Sequence, residues 1–465
     1  MKLGDVQSVY FLGAGGIGMS ALARWFNAND KKVYGYDKTE TELTKELVSE
    51  GIEIVYEDSI NVLPKVFQIK SENILVVFTP AIPKTSVLYN HFFSQGFDFY
   101  KRSEVLGLIT KDYYTIAVAG THGKTTTSSM VSHILKSSGK NVMAFIGGIL
   151  QNYQSNLLLN DTNSTEKPVV VVEADEFDRS FHRLSPDIVV LTTVDPDHLD
   201  IYNNEETFVQ GFKEFLLKLP KESGELIVNE CVDASIYEDL GVSTLVYGQE
   251  KTSDLCLTIT DQKANKEFFT LSDNSSFVLG ISGIHNCHNA LGAIAACRLL
   301  GISDLQIANA LLSYRGVKRR FDFVLETPKC VYIDDYAHHP SEIKALLDSV
   351  HAIYPGRKVT AVFQPHLFTR TRDFIDGFAE QLSRVDDLLL LEIYPARELP
   401  IDGVSSTILA AMIGLEKKIV LEKSQVLQEL SKKSLDIVLT IGAGDIDTLV
   451  KPIKAFIQKT YTSVD

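Results

Sequence analysis

The sequence predicts an α/β protein of three domains, each built on a parallel sheet. Three observations carry this. The 465 residues exceed what a single core holds and fit roughly three domains. Short apolar, β-branched runs alternate with helix-length stretches throughout. Two of those runs break into glycine-punctuated turns, at Gly13–Gly18 and Gly120–Gly123, that feed helices. The expected domains are residues 1–106, 107–317 and 318–465.

Composition narrows the class. Hydrophobic residues make up 45% and charged residues 23%, ordinary for a soluble globular chain. A net charge of −15 without a compensating Lys/Arg-rich tract argues against a nucleic-acid partner, and Lys318-Arg319-Arg320 is too short to reverse that. Five cysteines, odd in number and without C-x-x-C spacing, predict no disulfide framework and fit a reducing cytoplasm. The N-terminal M-K-L-G-D-V-Q has no long apolar stretch, and no run of eighteen apolar residues occurs, so neither secretion nor membrane insertion is expected.

In the first block, Ser8–Leu12 (S-V-Y-F-L) reads as a buried parallel strand, followed by Gly13-Ala-Gly15-Gly16-Ile-Gly18 and a helix over Met19–Asn27. Strands at Lys32–Tyr36, Ile52–Val55 and Ile74–Phe78 complete a Rossmann-like unit. Gly13, Gly15 and Gly18 match G-x-G-x-x-G, and Asp37 lies about 20 residues on, where a ribose-binding acid belongs. That spacing alone suggests NAD, but it encodes a diphosphate on a helix start, which any nucleotide diphosphate satisfies.

In the second block, the strand Ile116–Ala119 runs into Gly120-Thr121-His122-Gly123-Lys124-Thr125-Thr126. Glycines let main-chain N–H groups approach an anion, the helix start adds partial positive charge, and Lys124 adds a full one. Thr125 stands where a hydroxyl holds Mg²⁺. The usual G-x-x-x-x-G-K-[ST] is not met, because the position five before Gly123 is Val118, so this is a shorter nucleotide-triphosphate loop. A helix over Thr125–Ser137, a strand over Val142–Ile146 and a polar surface loop at Asn160–Lys167 follow. Pro168–Glu176 (P-V-V-V-V-E-A-D-E) then delivers acids at a strand end, making Glu173 and Asp175 Mg²⁺ candidates against the alternative of solvated acids. The strand Asp187–Thr193 ends in V-D-P-D-H-L-D; His198 among acids is a metal or phosphate contact, or equally a structural histidine held by Asp. Residues 255–280 read as a small antiparallel appendage. A helix with a polar start covers Gly283–Ala296. His285, Cys287 and His288 lack the further ligands zinc needs, whereas Asn286 and Asn289 suit caps or amide contacts to a base.

In the third block, strands at Cys330–Ile333, Lys358–Phe363, Asp387–Leu391 and Ile437–Ile441 alternate with helices near Ser341–Ala352, Asp373–Leu382, Ser424–Leu430 and Ile446–Gln458. Three strand ends carry polar clusters, Asp334–Pro340, Phe363–Arg372 and Ile393–Pro400, whose arginines suit carboxylate or phosphate.

Eight motifs in order give the chain a resemblance to the Mur ligases of peptidoglycan synthesis along nearly its whole length. They are Gly13–Ala23, Gly120–Thr127, Glu173–Phe181, Asp195–Tyr202, His285–Leu291, Arg315–Asp322, Asp334–Glu342 and Gly442–Ile446. The resemblance implies an N-terminal Rossmann-like UDP-binding domain, a central P-loop-type ATPase domain with a parallel sheet and antiparallel appendage, and a C-terminal Rossmann-like domain. It implies that ATP, with Mg²⁺, phosphorylates the lactyl carboxylate of UDP-N-acetylmuramate and that L-alanine attacks the acyl phosphate. No nucleic acid or membrane takes part, and the chain is expected as a monomer or dimer.

By the same resemblance, Gly120, Thr121, His122, Gly123, Lys124, Thr125, Thr126, His285, Asn286, Asn289, Arg320 and Asp335 bind ATP, with Asp335 on the ribose. Lys124, Arg320, Glu173 and His198 are catalytic, and Thr125, Glu173 and His198 hold metal. Gly13, Gly15, Gly16, Gly18 and Asp37 take the UDP-sugar, and Tyr336, His338, His366 and Arg370 the amino acid. Two positions depart from the family pattern. Leu367 replaces a common arginine, and Arg397 stands where glycine is usual. A tripeptide-recycling ligase shares the fold but usually lacks the G-M-S-A-L-A continuation at Gly18–Ala23. A dinucleotide oxidoreductase leaves Lys124 idle, and a nucleotide-gated binding protein has no use for the strand-tip arginines.

Overall fold

The computed structural model describes residues 3–196, 202, 204–263, 266–396 and 398–461. His198 and Arg397 lie outside the described residues. The first sheet contains β1 (Ser8–Leu12), β2 (Lys32–Tyr36), β3 (Glu53–Val55), β4 (Ile74–Phe78) and β5 (Asp98–Lys101), in the order β3-β2-β1-β4-β5. All its pairs are parallel, so the direction of winding reverses between β1 and β4 and leaves a crevice at their carboxyl ends. Every residue of β1 is buried, as a strand covered by helices on both faces demands.

The second sheet holds ten strands: β6 (Tyr114–Ala119), β7 (Val142–Leu150), β8 (Ser155–Leu158), β9 (Val169–Ala174), β10 (Ile188–Leu191), β11 (Glu225–Asn229), β12 (Ser243–Gly248), β13 (Leu255–Lys263), β14 (Lys266–Leu271) and β15 (Ser276–Leu279). Their order is β15-β14-β13-β12-β11-β10-β6-β9-β7-β8. The expected antiparallel appendage over 255–280 therefore extends the sheet edge, with β13 joining β12 in parallel through Tyr247↔Leu255. The third sheet runs β16-β17-β21-β18-β19-β20, from β16 (Asp322–Glu326), β17 (Val331–Asp335), β18 (Val359–Phe363), β19 (Asp387–Leu391), β20 (Lys418–Leu421) and β21 (Ile437–Ile441). Its edge strand β16 is antiparallel to β17. The helix expected over 373–382 is instead two, Phe368–Asp373 and Ile375–Leu382, broken at Phe374, whose φ of −119° is not helical.

The chain separates into two compact units, Met1–Thr260 with Phe268–Gly280 and Cys287–Arg315, and Asp261–Glu267 with Ile281–Asn286 and Gly316–Asp465. The first unit carries the first two sheets, and buried polar contacts join them. Arg24, on the helix Ile17–Ala28, is buried and donates to Glu46 and Glu50 at the end of the helix Glu42–Ser49 and, at 2.6 Å, to Asn156 of β8. Asn156 returns a bond to Ser20 Oγ at 2.9 Å. The helix Arg102–Thr110 spans the expected boundary at residue 106, and Gly107 lets it press against the Arg183 backbone, where a Cβ would stand 2.4 Å from the carbonyl oxygen.

In the second unit, the segment leading into the third sheet is sewn to the end of β17. Tyr336 N–H donates to Arg319 O at 2.7 Å, and the Asp335 carboxylate accepts from Phe321 N at 2.6 Å and Ala337 N at 2.7 Å. Arg319 pairs with buried Asp334 at 3.3 Å. No disulfide joins the five cysteines, as their spacing predicted. Among the described residues no helix is long and apolar enough to cross a membrane.

Arg24→Ala strands two carboxylates and a buried amide. Because Glu46 and Glu50 are 48% and 37% exposed, the loss should stay below that of a fully buried pair, at about 2 kcal/mol in urea denaturation. Burial pushes the Asp335 carboxyl up to about 7, against the pull of Arg320. A carboxyl whose folded pKa is raised contributes stability below its unfolded pKa and loses it as pH rises through the folded value. Asp335 should therefore make the wild type less stable between pH ~4 and ~7, and Asp335→Asn should remove that slope, read from denaturation midpoints across this range.

Candidate active site

The centre of the site is a matter of strand register. Leu191 of β10 lies beside Ala119 of β6, and Ala119 beside Ala174 of β9, so three adjacent parallel strands end at one level and release their polar tips together. β6 runs directly into Gly120, whose φ is +133° and whose Cβ would fall 2.1 Å from Thr192 Oγ1. Only glycine fits there. Gly123, at φ +79°, caps the helix Lys124–Ser137, and a Cβ on it would meet Asn289 Oδ1 at 2.4 Å. Asn289 is thus brought against the loop, where it also accepts from Thr127 Oγ1 at 3.2 Å.

The loop is stitched to the tip of β10. Thr121 N donates to Thr193 O at 3.0 Å, His122 N to Thr193 Oγ1 at 3.0 Å, and Thr121 Oγ1 to Asp195 O at 2.7 Å. His122 Nε2 stands 3.5 Å from the Asp195 carboxylate. The N–H groups of Lys124, Thr125 and Thr126 begin the helix, where such groups have no intrahelical acceptor and an anion is the natural partner.

Lys124 folds back over this loop. Its Nζ donates to Gly120 O at 2.6 Å, Thr121 O at 3.0 Å and Glu176 Oε1 at 3.0 Å. Glu176 is the residue that sequence reasoning missed; it is the last acid of E-A-D-E and is only 3% exposed. Burial lowers the tendency of Lys124 to hold its proton, but Glu176, Glu173 and Asp175 outweigh this and keep it cationic. Burial likewise pushes the Glu176 carboxyl up to about 7, opposed by Lys124.

The expected metal pair is assembled. Thr125 Oγ1 donates to Glu173 Oε2 at 2.8 Å, and Gly147 N holds the same oxygen at 3.0 Å. Among the described residues no three His, Cys, Asp or Glu side chains converge as a metal cage. Two hard oxygens next to a phosphate loop nevertheless fit Mg²⁺, which keeps most of its waters and shares the rest of its shell with substrate phosphates. Asp175 is turned away from Glu173; it pairs with Arg102 at 3.2 Å and accepts from Phe177 N at 3.1 Å. β9 ends at Ala174, so Asp175 leaves the two-residue alternation that would have put it on the Glu173 face.

In the first sheet, the Gly13–Gly18 loop is braced internally. Gly13 N and Ala14 N donate to Tyr36 O, and Gly15 N donates to Asp37 Oδ2 at 2.8 Å. Asp37 also accepts from Thr39 N at 3.2 Å, so the expected ribose acid holds the loop in shape. Gly16 caps the helix Ile17–Ala28, which leaves Gly18 in its first turn.

In the second unit the strand tips of the third sheet gather rings. Tyr336 and His338 meet edge to face at 5.2 Å, His338 and His366 at 5.9 Å, and His366 stacks near Tyr394 at 5.8 Å. Arg319 and Arg320 lie 5.1 and 5.0 Å from the Tyr336 ring centre, within cation–π range. Arg320 also approaches Glu342 at 3.6 Å. Arg370 is buried on the short helix Phe368–Asp373. Leu367 holds a strained φ of 69°, pinned by its N–H to Tyr394 O at 3.0 Å and by Glu398 on Thr369. His285 and Asn286 open the helix Ile284–Leu299, with His285 Nδ1 3.1 Å from Ser349 Oγ and Asn286 Nδ2 donating to Ser282 O at 2.7 Å.

Known proteins resemble this chain in sequence and fold. Residues 8–114 match the Mur ligase family catalytic domain, 118–297 the Mur ligase middle domain and 319–444 the Mur ligase glutamate ligase domain. The chain is 46% identical over 465 residues to the UDP-N-acetylmuramate–L-alanine ligase of Cytophaga hutchinsonii, covering 99% of each. It is similar to the crystal structure of the UDP-N-acetylmuramate–alanine ligase of Thermotoga maritima, with a TM-score of 0.81, 28% identity, and 98% of this chain and 100% of that one covered. A murein peptide ligase from Psychrobacter arcticus shares the fold at a TM-score of 0.72 and 23% identity, covering 97% of this chain and 98% of that one. The matched domains follow the three sheets in order, and the chain belongs to the Mur ligase family.

Proposed function

We propose that this chain joins L-alanine to the lactyl carboxylate of UDP-N-acetylmuramate with cleavage of ATP to ADP and phosphate, in the making of peptidoglycan precursors. The observation that carries the reading is the Lys124–Thr125–Glu173 cluster at the tips of β6 and β9, in a chain that aligns from end to end with an L-alanine ligase. A carboxylate oxygen of the sugar attacks the γ-phosphorus and ADP leaves. The amine of alanine then attacks the acyl carbon and phosphate leaves. Neither step needs an enzyme nucleophile; both need negative charge met in place.

Lys124 exchanges the Gly120 and Thr121 carbonyls for phosphate oxygens. The helix start at Lys124–Thr126 meets the same phosphates, and Asn289 sets the position of Gly123. Thr125 and Glu173 would hold Mg²⁺, which supplies charge neutralisation between phosphates; His198 is assigned to a second ion. His285 and Asn286 take ATP, Arg320 the phosphoryl group in transfer and Asp335 the ribose. Tyr336, His338, His366 and Arg370 orient alanine. Gly13, Gly15, Gly16, Gly18 and Asp37 shape the UDP-sugar site. The domains divide at 1–106, 107–317 and 318–465, with the helix Arg102–Thr110 carrying the first junction, and the enzyme works in the cytoplasm as a monomer or dimer.

Phosphate release on UDP-N-acetylmuramate, ATP and Mg²⁺, with each amino acid supplied in turn, should be fastest with L-alanine; no release with any of them ends the proposal. Lys124→Ala should lower kcat at least a thousandfold while UDP-sugar binding, measured by calorimetry, stays within about twofold, because the two anion loops lie on different sheets. Arg370→Ala should raise KM for the amino acid at least tenfold more than KM for ATP, the difference expected for a lost charge-assisted contact.

A further inference from the structure

Arg102 is conspicuous because its two ends serve different sheets. It begins the helix that follows β5, on the carboxyl edge of the first sheet, one strand beyond the β1/β4 crevice. Its side chain runs back across that edge to the glycine loop: a Cβ on Gly18 would lie 2.8 Å from Nη1 and 2.9 Å from Cδ. Gly18 sits in the first turn of the helix Ile17–Ala28, whose opening N–H groups face the same crevice. The other arm of the guanidinium, Nη2, reaches Asp175 of the second sheet at 3.2 Å. Its neighbour Lys101 makes the parallel link to Asp178 at 2.7 Å.

The loop's own donors are largely spent. Gly13 N and Ala14 N go to Tyr36 O, Gly15 N to Asp37 and Gly16 N to Gly13 O at 3.3 Å. A diphosphate in the crevice would thus meet the helix start and, directly beside Gly18, a guanidinium, which binds phosphate in a fork. The Arg102 side chain is only 23% exposed, with its stem packed along the loop. A mere solubilising arginine would stand in water instead.

Resting on the reading of this loop as the UDP-sugar site, we propose that Arg102 is a binding residue for the diphosphate of that nucleotide. Its contact with Asp175 occupies the second arm of the guanidinium and is not needed for the diphosphate contact.

The test is calorimetric titration of UDP and of UDP-N-acetylmuramate, without ATP, into wild type, Arg102→Ala, Arg102→Lys and Asp175→Asn, with melting temperatures alongside. The proposal expects Arg102→Ala to weaken both ligands at least tenfold, Arg102→Lys to recover part of the loss, and Asp175→Asn to leave UDP affinity within about threefold. Unchanged UDP affinity in Arg102→Ala overturns it, whether or not the melting temperature falls. Equal weakening in Asp175→Asn also overturns it, since a strut between sheets would then explain both variants. Loss confined to UDP-N-acetylmuramate, with UDP unaffected, moves the contact to the sugar and overturns the diphosphate assignment. If wild type binds neither ligand, the reading of the loop as a UDP-sugar site falls and the inference falls with it.

Discussion

The parallel register of β10, β6 and β9 is the constraint from which the rest of the candidate site follows. Because Leu191, Ala119 and Ala174 are level, the chain leaves the sheet three times within one small region. Apolar, β-branched sequences supply the buried rungs, and each run stops where polar residues take over. A shift of one residue in β9 would turn Glu173 to the opposite face and part it from Thr125. The chemistry is thus positioned by hydrophobic burial, which tolerates no slip, and the polar groups need only be short and well directed.

A second consequence of that geometry is the union of the first two sheets. Arg24 crosses between them on one side through a hydrogen bond to Asn156, and Lys101 and Arg102 on the other through ion pairs to Asp178 and Asp175. The central sheet gathers its polar strand tips at one carboxyl edge, and the first sheet presents its glycine loop at another. These polar links stand beside an apolar core that runs through both sheets, and they fix direction as well as distance, because a guanidinium fork donates to its partners only in its own plane.

Much of this was legible in the residues. The ends of β1, β2, β4, β19 and β21 fall where the apolar runs end, and the glycine spacing announced both strand-to-helix loops. The pairing of Thr125 with Glu173 followed from a hydroxyl after the lysine and an acid after a run of valines. What stayed hidden was direction. E-A-D-E gives three acids in four positions, and no spacing says that Glu173 turns to Thr125, Asp175 to Arg102 and Glu176 to Lys124. The antiparallel edge strand β16 and the break at Phe374 were equally silent, since both are decided by neighbours far along the chain. The chain of rings from Tyr336 to Tyr394 could be sensed as three polar strand tips, but not as one assembly. The strain at Leu367 leaves no trace in residue type, because leucine is an ordinary helix former.

The folded-back lysine sets a threshold for occupancy. Nζ of Lys124 is shared among two carbonyls and a sunken carboxylate, so a phosphate at this loop would have to replace several contacts. A ligand displaces that arrangement only by bringing several charged oxygens at once, enough to satisfy the ammonium, the helix start and the hydroxyl together. On the proposed reading, that requirement favours a polyphosphate over small monovalent anions.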